Sequence, residues 1–565
     1  MNGATLALRD PATNTPGVIT NRGTARFEGG NTTVLSCLFL NEGALEFTGS
    51  VQFSNGVLRN LAGRTMRFFS GNITAAANTT NLLENYGTLR KVGANVYSIN
   101  APMLQRDAMV VQEPNSGDLR LAGAGVHERV AWNIDTNSNL DLEGGQTFID
   151  IQWQLAPGAR VRMTRTAVTH LLAGRHTGVV QGEFSLNGST LVATGATPVE
   201  LNFTDNGFQW LSGTLDGGTV GFRNAGRMRL ESSSLTLRGT LTNAGVMELN
   251  AGISFGNATL RNAAGATMLV RSANFRKETS ASNSLFENYG VLRTVASNTS
   301  SINIPVQNAG LIDLRDGSIW MNEFTQTDGE TRVRRNRELR ASPFMLSGGA
   351  LTGVGLVNLP SGTLTITADP QNPNNPGTLA PGIDDPDEPT LSSLGVLTLN
   401  GNLAMGADGV FEVDIAGTNN TDPENPQYDQ LRFTRTGGSI QLNGVLRLKG
   451  RNGYVPRVGD QFDIIVRNPS SSWNRTGAFR AIEVDTDTLP CVQFEVQYLT
   501  DRVRVRIVRF GNTDVNGDGC IDDADLLAVL FNFGATGNHP ADANCDGVVD
   551  DADLLAVLFN FGSGC

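Results

Sequence analysis

Apolar and polar residues alternate along most of the chain, in runs of only about four to five residues. Thr24-Ala-Arg-Phe-Glu28, Ala44-Leu-Glu-Phe47, Val246-Met-Glu-Leu249 and Leu311-Ile-Asp-Leu314 show the pattern. Each predicts a short strand whose successive side chains point to opposite faces. Each also follows an Asn-x-Gly step, which occurs at Asn21-Arg-Gly23, Asn41-Glu-Gly43, Asn85-Tyr-Gly87, Asn224-Ala-Gly226, Asn243-Ala-Gly245, Asn288-Tyr-Gly290 and Asn308-Ala-Gly310. Asn60-Leu-Ala62 and Asn262-Ala-Ala264 are looser relatives, and within each cluster successive asparagines lie 19, 20, 25 or 26 residues apart. Asn tolerates the left-handed conformation and Gly carries no Cβ, so the pair predicts a tight corner. Short strands with one dominant corner per coil of this length describe a parallel β-solenoid over residues 1–365. A β-sandwich array would turn every 8–12 residues or so.

A longer duplication lies over this period. Leu82-Leu-Glu-Asn-Tyr-Gly-Thr-Leu-Arg90 returns as Leu285-Phe-Glu-Asn-Tyr-Gly-Val-Leu-Arg293, and Leu58-Arg-Asn60 as Leu260-Arg-Asn262. A block of coils near 21–105 is therefore repeated near 223–308. Roughly seventeen coils stacked at the inter-strand spacing of about 4.8 Å predict a rod on the order of 80 Å long.

Residues 366–390 are rich in Pro, Asn and Asp and read as a linker. Alternation resumes over 391–509, with Gly395-Val-Leu-Thr-Leu-Asn-Gly401, Phe411-Glu-Val-Asp-Ile415, Gly444-Val-Leu-Arg-Leu448 and Gly453-Tyr-Val-Pro-Arg-Val-Gly-Asp-Gln-Phe462. Val492-Gln-Phe-Glu-Val-Gln-Tyr498 and Val503-Arg-Val-Arg-Ile507 predict a closing hairpin. The order of phrases over 377–467 resembles the late passenger region of bacterial autotransporter-like surface proteins, which implies secretion and a structural or adhesive role. No outer-membrane barrel pattern follows it.

The rhythm changes in the last fifty-odd residues, where one sentence is written twice. Asp514-Val-Asn-Gly-Asp-Gly-Cys-Ile-Asp-Asp-Ala-Asp525 runs into Leu526-Leu-Ala-Val-Leu-Phe-Asn-Phe-Gly534. Asp542-Ala-Asn-Cys-Asp-Gly-Val-Val-Asp-Asp-Ala-Asp553 runs into the same octet and glycine at 554–562. Oxygen side chains fall at positions 1, 3, 5, 9 and 12 of each loop: Asp514, Asn516, Asp518, Asp522 and Asp525, then Asp542, Asn544, Asp546, Asp550 and Asp553. Cys520 and Val548, at position 7, would add backbone carbonyls, and Gly519 and Gly547 permit the sharp turn. A hard cation takes about six to eight oxygens, and loops of this spacing supply them to calcium. Residues 512–565 hold ten Asp and no Lys, Arg or Glu, so this segment accounts for −10 of the chain's net charge of −12. Ten carboxylates on so short a stretch repel one another unless a cation gathers them.

Asp at position 12 and the strand-like Asp501-Arg-Val-Arg-Val-Arg-Ile-Val-Arg509 in place of an incoming helix set these loops apart from an ordinary EF-hand. A loop followed by one helix, duplicated over about 513–562, resembles the dockerin module of secreted polysaccharide-degrading complexes. The resemblance implies two calcium ions and a nearly two-fold surface that docks a cohesin-like receptor. It places partner contacts at positions 10 and 11, here Asp523-Ala524 and Asp551-Ala552 rather than the small hydroxyl pair of some dockerins. The apolar residues Leu526, Leu530 and Phe531, with their copies Leu554, Leu558 and Phe559, are expected to pack partly on each other and partly on the partner.

Composition narrows the remaining choices. Of 565 residues only 17% are charged and 7% aromatic, while Gly numbers 65, which suits a turn-rich β-protein of several domains. No apolar run is long enough to span a bilayer. Outside the acidic end 43 basic residues balance 45 acidic ones, so no nucleic-acid surface is indicated. No signal peptide is visible, so the extracellular or cell-surface location that calcium loops suit implies an incomplete N-terminus. Three of five cysteines (Cys520, Cys545 and Cys565, against Cys37 and Cys491) crowd the calcium module, where one bridge is expected without a pairing that spacing can assign. Cys37 reads as a buried small hydrophobe.

A solenoid can carry polysaccharide-cleaving chemistry, which needs clustered carboxylates. Asp135, Asp141 and Glu143, and Asp313, Asp316 and Asp328 around Arg315, are the acids available, and neither group is dense. His127, His170, His176 and His539 show no metal spacing. Arg332, Arg334, Arg335, Arg337 and Arg340 read as the solvated face of an edge coil. The chain thus reads as mainly β: a parallel β-solenoid, an all-β segment, and at 510–565 a small helical two-calcium module. Its expected role is a secreted structural or adhesive protein tethered through a calcium-dependent docking module to a cohesin-like or other cell-surface receptor, with extracellular polysaccharide as a further candidate ligand. The alternative is a lyase or glycoside hydrolase delivered by its dockerin.

Overall fold

A computed structural model describes residues 5–7, 17–77, 79–232, 234–385, 393–422, 424–454, 457–485, 488–489, 492–510, 513–537 and 539–563. The fold is mainly β, a parallel solenoid of about 16 turns, with two short helices near its C-terminal end. No helix of the described residues is long and apolar enough to cross a membrane. The chain forms two compact units, Met1–Leu311 with Asp316–Met321, and Ile312–Arg315 with Asn322–Cys565.

In the first unit the coils form three parallel ladders, each strand pairing with its equivalent one coil on, and long strands such as Glu183–Ala193 and Gly252–Asn262 serve two ladders at once. Val18–Asn21, Leu38–Asn41, Val57–Asn60 and Leu82–Asn85 make one ladder. Thr24–Phe27, Ala44–Phe47, Thr65–Phe68 and Thr88–Lys91 make the second, and Thr33–Leu35, Val51–Phe53, Gly71–Ala75 and Tyr97–Ile99 the third. In-register pairing places like residues over like. Phe27, Phe47 and Phe68 stack with centroids 5.2 and 4.6 Å apart, and Trp132 lies over Trp153 at 5.4 Å.

The Asn-x-Gly steps work differently from the sequence expectation. Their asparagines do not take the left-handed conformation. They end inward-facing strands, and their side chains hydrogen-bond rung to rung: Asn21 to Asn41 at 2.8 Å, Asn41 to Asn60 at 2.7 Å and Asn60 to Asn85 at 2.8 Å. The repeated block rebuilds the ladder from Asn224 through Asn243, Asn262 and Asn288 to Asn308, at 2.7–2.9 Å. A buried amide needs both donor and acceptor satisfied, and an identical amide one coil away supplies them. The glycines of these steps after Gly23 are required for close approach rather than for positive φ. A Cβ on Gly43 or Gly245 would be driven into the carbonyl oxygen of Gly23 or Gly226 on the preceding coil.

In the second unit the parallel ladders continue through the position expected to end the solenoid. Residue 365 lies inside the strand Leu356–Ile366, which pairs in parallel with Glu338–Arg340 and Val396–Met405. Glu330–Val333, Ala350–Gly353, Thr378–Pro381, Val410–Ile415, Val445–Gly450 and Ala481–Val484 form one face. Inside the Pro- and Asn-rich stretch, Thr378–Pro381 is therefore a ladder strand that keeps the register, while residues 386–390 lie outside the described residues. Among the described strands, antiparallel pairing comes at the end. Arg502–Phe510 pairs with both Val492–Tyr498 and Gln461–Arg467, which is the expected hairpin laid against the last coil. Such a cover blunts an edge that would otherwise template pairing with another chain.

Candidate functional site

The duplicated octets fold as two helices, α1 (Asp523–Phe531) and α2 (Asp551–Phe559). Asp522 and Asp550 cap them, each accepting from the N–H two residues on at 2.8 Å. The position-12 carboxylates, Asp525 and Asp553, accept from the N-cap N–H at 2.9 and 2.8 Å and complete a capping box.

Each loop is held in a tight wrap by its own carboxylates. Asp514 accepts from the N–H groups of Gly517 at 2.9 Å and Gly519 at 3.0 Å, and Asp542 from those of Asp546 at 3.1 Å and Gly547 at 2.8 Å. Asn516 accepts from the Asp518 N–H, and Asn544 from the Asp546 N–H, at 2.9 and 2.8 Å. Across the loop Asp525 takes the Asn516 N–H at 3.1 Å, and Asp553 the Asn544 N–H at 2.8 Å. Gly519 and Gly547 both sit at φ +91°, a conformation that a side chain would strain.

The two halves exchange backbone contacts. Ile521, at position 8 of the first loop, pairs with the chain after α2: its N–H donates to Ser563 at 3.0 Å, and its carbonyl accepts from Gly562 at 2.8 Å. Val549, at position 8 of the second, pairs likewise with Ala535 and Gly534 after α1, at 2.9 and 2.7 Å. Around this exchange lies a core of Ile521, Val529, Ala541, Ala543, Val549 and Val557. Position 8 of each loop is thus an apolar residue buried in this shared core.

The site residues divide clearly. Asp514, Asn516, Asp518, Asp522 and Asp525 face one loop, and Asp542, Asn544, Asp546, Asp550 and Asp553 the other. Cys520 and Cys545 are both disulfide-bonded, so at position 7 Cys520 has only its carbonyl to offer. Cys491 and Cys565 lie outside the described residues. Among the described residues no three carboxylate, thiol or imidazole groups are gathered into a group that could hold a metal ion. The donor set nonetheless fits a hard cation in one decisive respect. Asp525 and Asp553 are completely buried, each accepts two N–H groups, and residues 512–565 contain no Lys or Arg to neutralise them. A buried carboxylate without a cation is costly, and no residue of this segment supplies one.

Of the residues expected to face a partner, Asp523, Ala524, Leu530 and Phe531 are exposed, as are Asp551, Ala552, Leu558 and Phe559. Phe531 and Phe559 are 83% and 84% exposed. Leu526 and Leu554 turn inward and pack against the core, and their neighbours Leu527 and Leu555 take the outer positions. Residues 523, 524, 527, 530 and 531 make one continuous helical stripe, repeated at 551, 552, 555, 558 and 559. Phe533 and Phe561 extend each apolar patch past the helix end. The octet is apolar on every side, so no periodicity in the sequence separates the inward face from the outward one.

The other acids are largely engaged in pairs. Asp135 accepts from its neighbour Thr136, Asp141 pairs with Arg162 at 3.0 Å, and Glu143 lies 3.9 Å from both Arg120 and Arg165. The Asp316 N–H donates to Thr294, and Asp328 accepts from Asn375 at 2.9 Å. Asp313 and Asp385 are buried among arginines. Arg334 reaches Asp313 at 2.7 and 3.1 Å and Asp385 at 2.5 Å, and Arg332 reaches Asp385 at 3.1 Å. Arg332 and Arg334, expected on a solvated face, are therefore interior, because two buried carboxylates draw them in. His127, His170 and His176 are core residues. In comparisons with known proteins, no family model matches the chain, and no curated protein matches it.

Proposed function

We propose that the chain is an extracellular or cell-surface β-solenoid of structural or adhesive role, held in place by a calcium-dependent docking module at 513–563. The observation that carries this reading is the reciprocal pairing of two identical loop–helix units, each combining a buried, un-neutralised Asp with an outward Leu/Phe stripe. Asp514, Asn516, Asp518, Asp525 and the Cys520 carbonyl would hold one ion; Asp542, Asn544, Asp546, Asp553 and the Val548 carbonyl would hold the other. Asp522 and Asp550 would act through a water. Calcium supplies charge neutralisation and fixes the loops, and the helices it orients carry the recognition surface. A monomer rarely leaves a contiguous apolar patch in water without a partner for it. The solenoid's ladders of identical residues suit a rigid spacer, and the autotransporter-like phrases support a surface role.

Docking of a cohesin-type receptor to the immobilised full-length chain tests this by biolayer interferometry. Binding is expected in calcium, with reversal by chelator. The pair Phe531→Ser and Phe559→Ser should weaken it by about 2–4 kcal/mol, the range for central aromatic anchors. Binding indifferent to calcium, or to both Phe changes, contradicts the reading.

A further inference from the structure

The outward stripes of α1 and α2 are not apolar throughout. Each opens on a carboxylate in the first helical turn, Asp523 or Asp551, and ends on Phe531 or Phe559 eight positions later. At about 1.5 Å of rise per residue, roughly 12 Å of helix separates the charge from the aromatic residue. Asp523 and Asp551 are exposed, and neither accepts a hydrogen bond or pairs with a cation among the described residues. The other eight Asp of residues 512–565 occupy positions 1, 5, 9 and 12 of the loops, so these two carboxylates alone stand outside the ligand-type spacing.

Charge decides what kind of surface such a stripe fits. The segment carries ten Asp and no Lys, Arg or Glu, and two calcium ions would cancel only four of those charges. A second copy's module would bring the same sign to the contact, and the rest of the chain, with 43 basic against 45 acidic residues, offers no net attraction. An acidic protein or an anionic bilayer would set like charge against Asp523 and Asp551 while the neighbouring leucines and phenylalanines lose water. A protein with a Lys or Arg beside an apolar groove gains a charge-assisted bond there instead.

We propose that the stripes dock on a basic protein surface: an apolar groove that takes Phe531 or Phe559, with a Lys or Arg roughly 12 Å away to meet Asp523 or Asp551. The inference rests on the docking reading above and adds the sign and place of the partner's charge. The aromatic residue anchors the contact, and the carboxylate at the other end of the stripe steers the approach and selects against acidic surfaces.

Interferometry on the full-length chain in calcium tests the assignment with two cohesin-type domains as probes, one carrying Lys and Arg around its docking groove and one carrying Asp and Glu there. The basic domain is expected to bind about tenfold tighter or more, and its association to slow as NaCl rises from about 50 to about 500 mM. Asp523→Asn with Asp551→Asn should slow that association about tenfold and flatten its salt dependence, with dissociation changed little. Asp523→Lys with Asp551→Lys should reverse the preference between the two domains. Neither position belongs to the ligand-type set, so calcium stoichiometry is expected to match the parent in both variants. The proposal is overturned if the acidic domain binds the parent as well as the basic one does, or if the Asn pair leaves affinity and salt dependence as they were. Binding that ignores these charges, yet is lost to chelator and to the Phe531→Ser and Phe559→Ser pair, overturns the charge assignment and leaves the docking reading standing. Binding by neither domain in calcium overturns both.

Discussion

Lowering the pH from 7 to 5 is expected to remove about 5 kcal/mol from the stability of the first unit, through three buried histidines. His127, His170 and His176 sit in a core shared with Trp132, Phe148, Trp153 and Phe184. Gln146 orders two of them: its Oε1 accepts from His127 Nε2 at 2.8 Å, and its backbone N–H donates to His170 Nδ1 at 3.3 Å. His127 Nδ1 and His170 Nε2 are buried without a hydrogen-bond partner among the described residues. Burial depresses all three to about 4, and the neighbouring His127 adds to the effect on His170. In the unfolded chain they titrate near 6.5. The stability they contribute is thus fully present above pH 6.5 or so and is lost as pH falls towards 4, with about 2 kcal/mol per histidine gone at pH 5 and less where the charges interact. Denaturant unfolding followed by tryptophan fluorescence reads this directly, because Trp132 and Trp153 lie in the affected coils. His176→Leu should reduce the pH dependence by about a third. Equal stability at both pH values contradicts the account.

The second large effect is expected at Arg334. Replacing it with Met should destabilise the second unit by about 3–5 kcal/mol, because Asp313 and Asp385 stay buried while losing a shared guanidinium. Adding Asp313→Asn to that variant should restore part of the loss, since it removes a buried charge that has lost its bidentate partner and keeps the longer contact to Arg315 at 3.4 Å. Denaturant midpoints of the two single variants and the double variant measure the coupling. Strictly additive losses would show that the pair does not act as one unit.

The two rhythms in the sequence were enough to separate solenoid from terminal module. Alternation in runs of four and the spacing of asparagines correctly imply short strands in parallel coils. The same residues mislead about the reason: Asn243 and Gly245 look like corner-makers, yet their positions are set by the coil above and below, which local propensity does not register. The boundary near 365 follows from Pro and Asn composition, but a long loop between ladder strands has the same composition as a linker. Arg332 and Arg334 look solvated until the fold brings Asp385 to them from some fifty residues away. The histidines of the first core carry no motif at all. In the module the duplication and the ligand-type spacing are plain in the sequence. The inward turn of Leu526 against the outward turn of Leu527 depends on the angle at which α1 meets its partner half, which an all-apolar octet does not encode.

The central claim is that two calcium ions complete the terminal module, and calcium calorimetry on the full-length chain tests it most directly. The account predicts two sites per chain. Asp518→Ala should delete one, Asp546→Ala the other, and the double variant both, with the β-sheet signal unchanged throughout. A chain that takes up no calcium, or whose stoichiometry is indifferent to both substitutions, would contradict it and leave the paired loops as a disulfide-held fold without an ion.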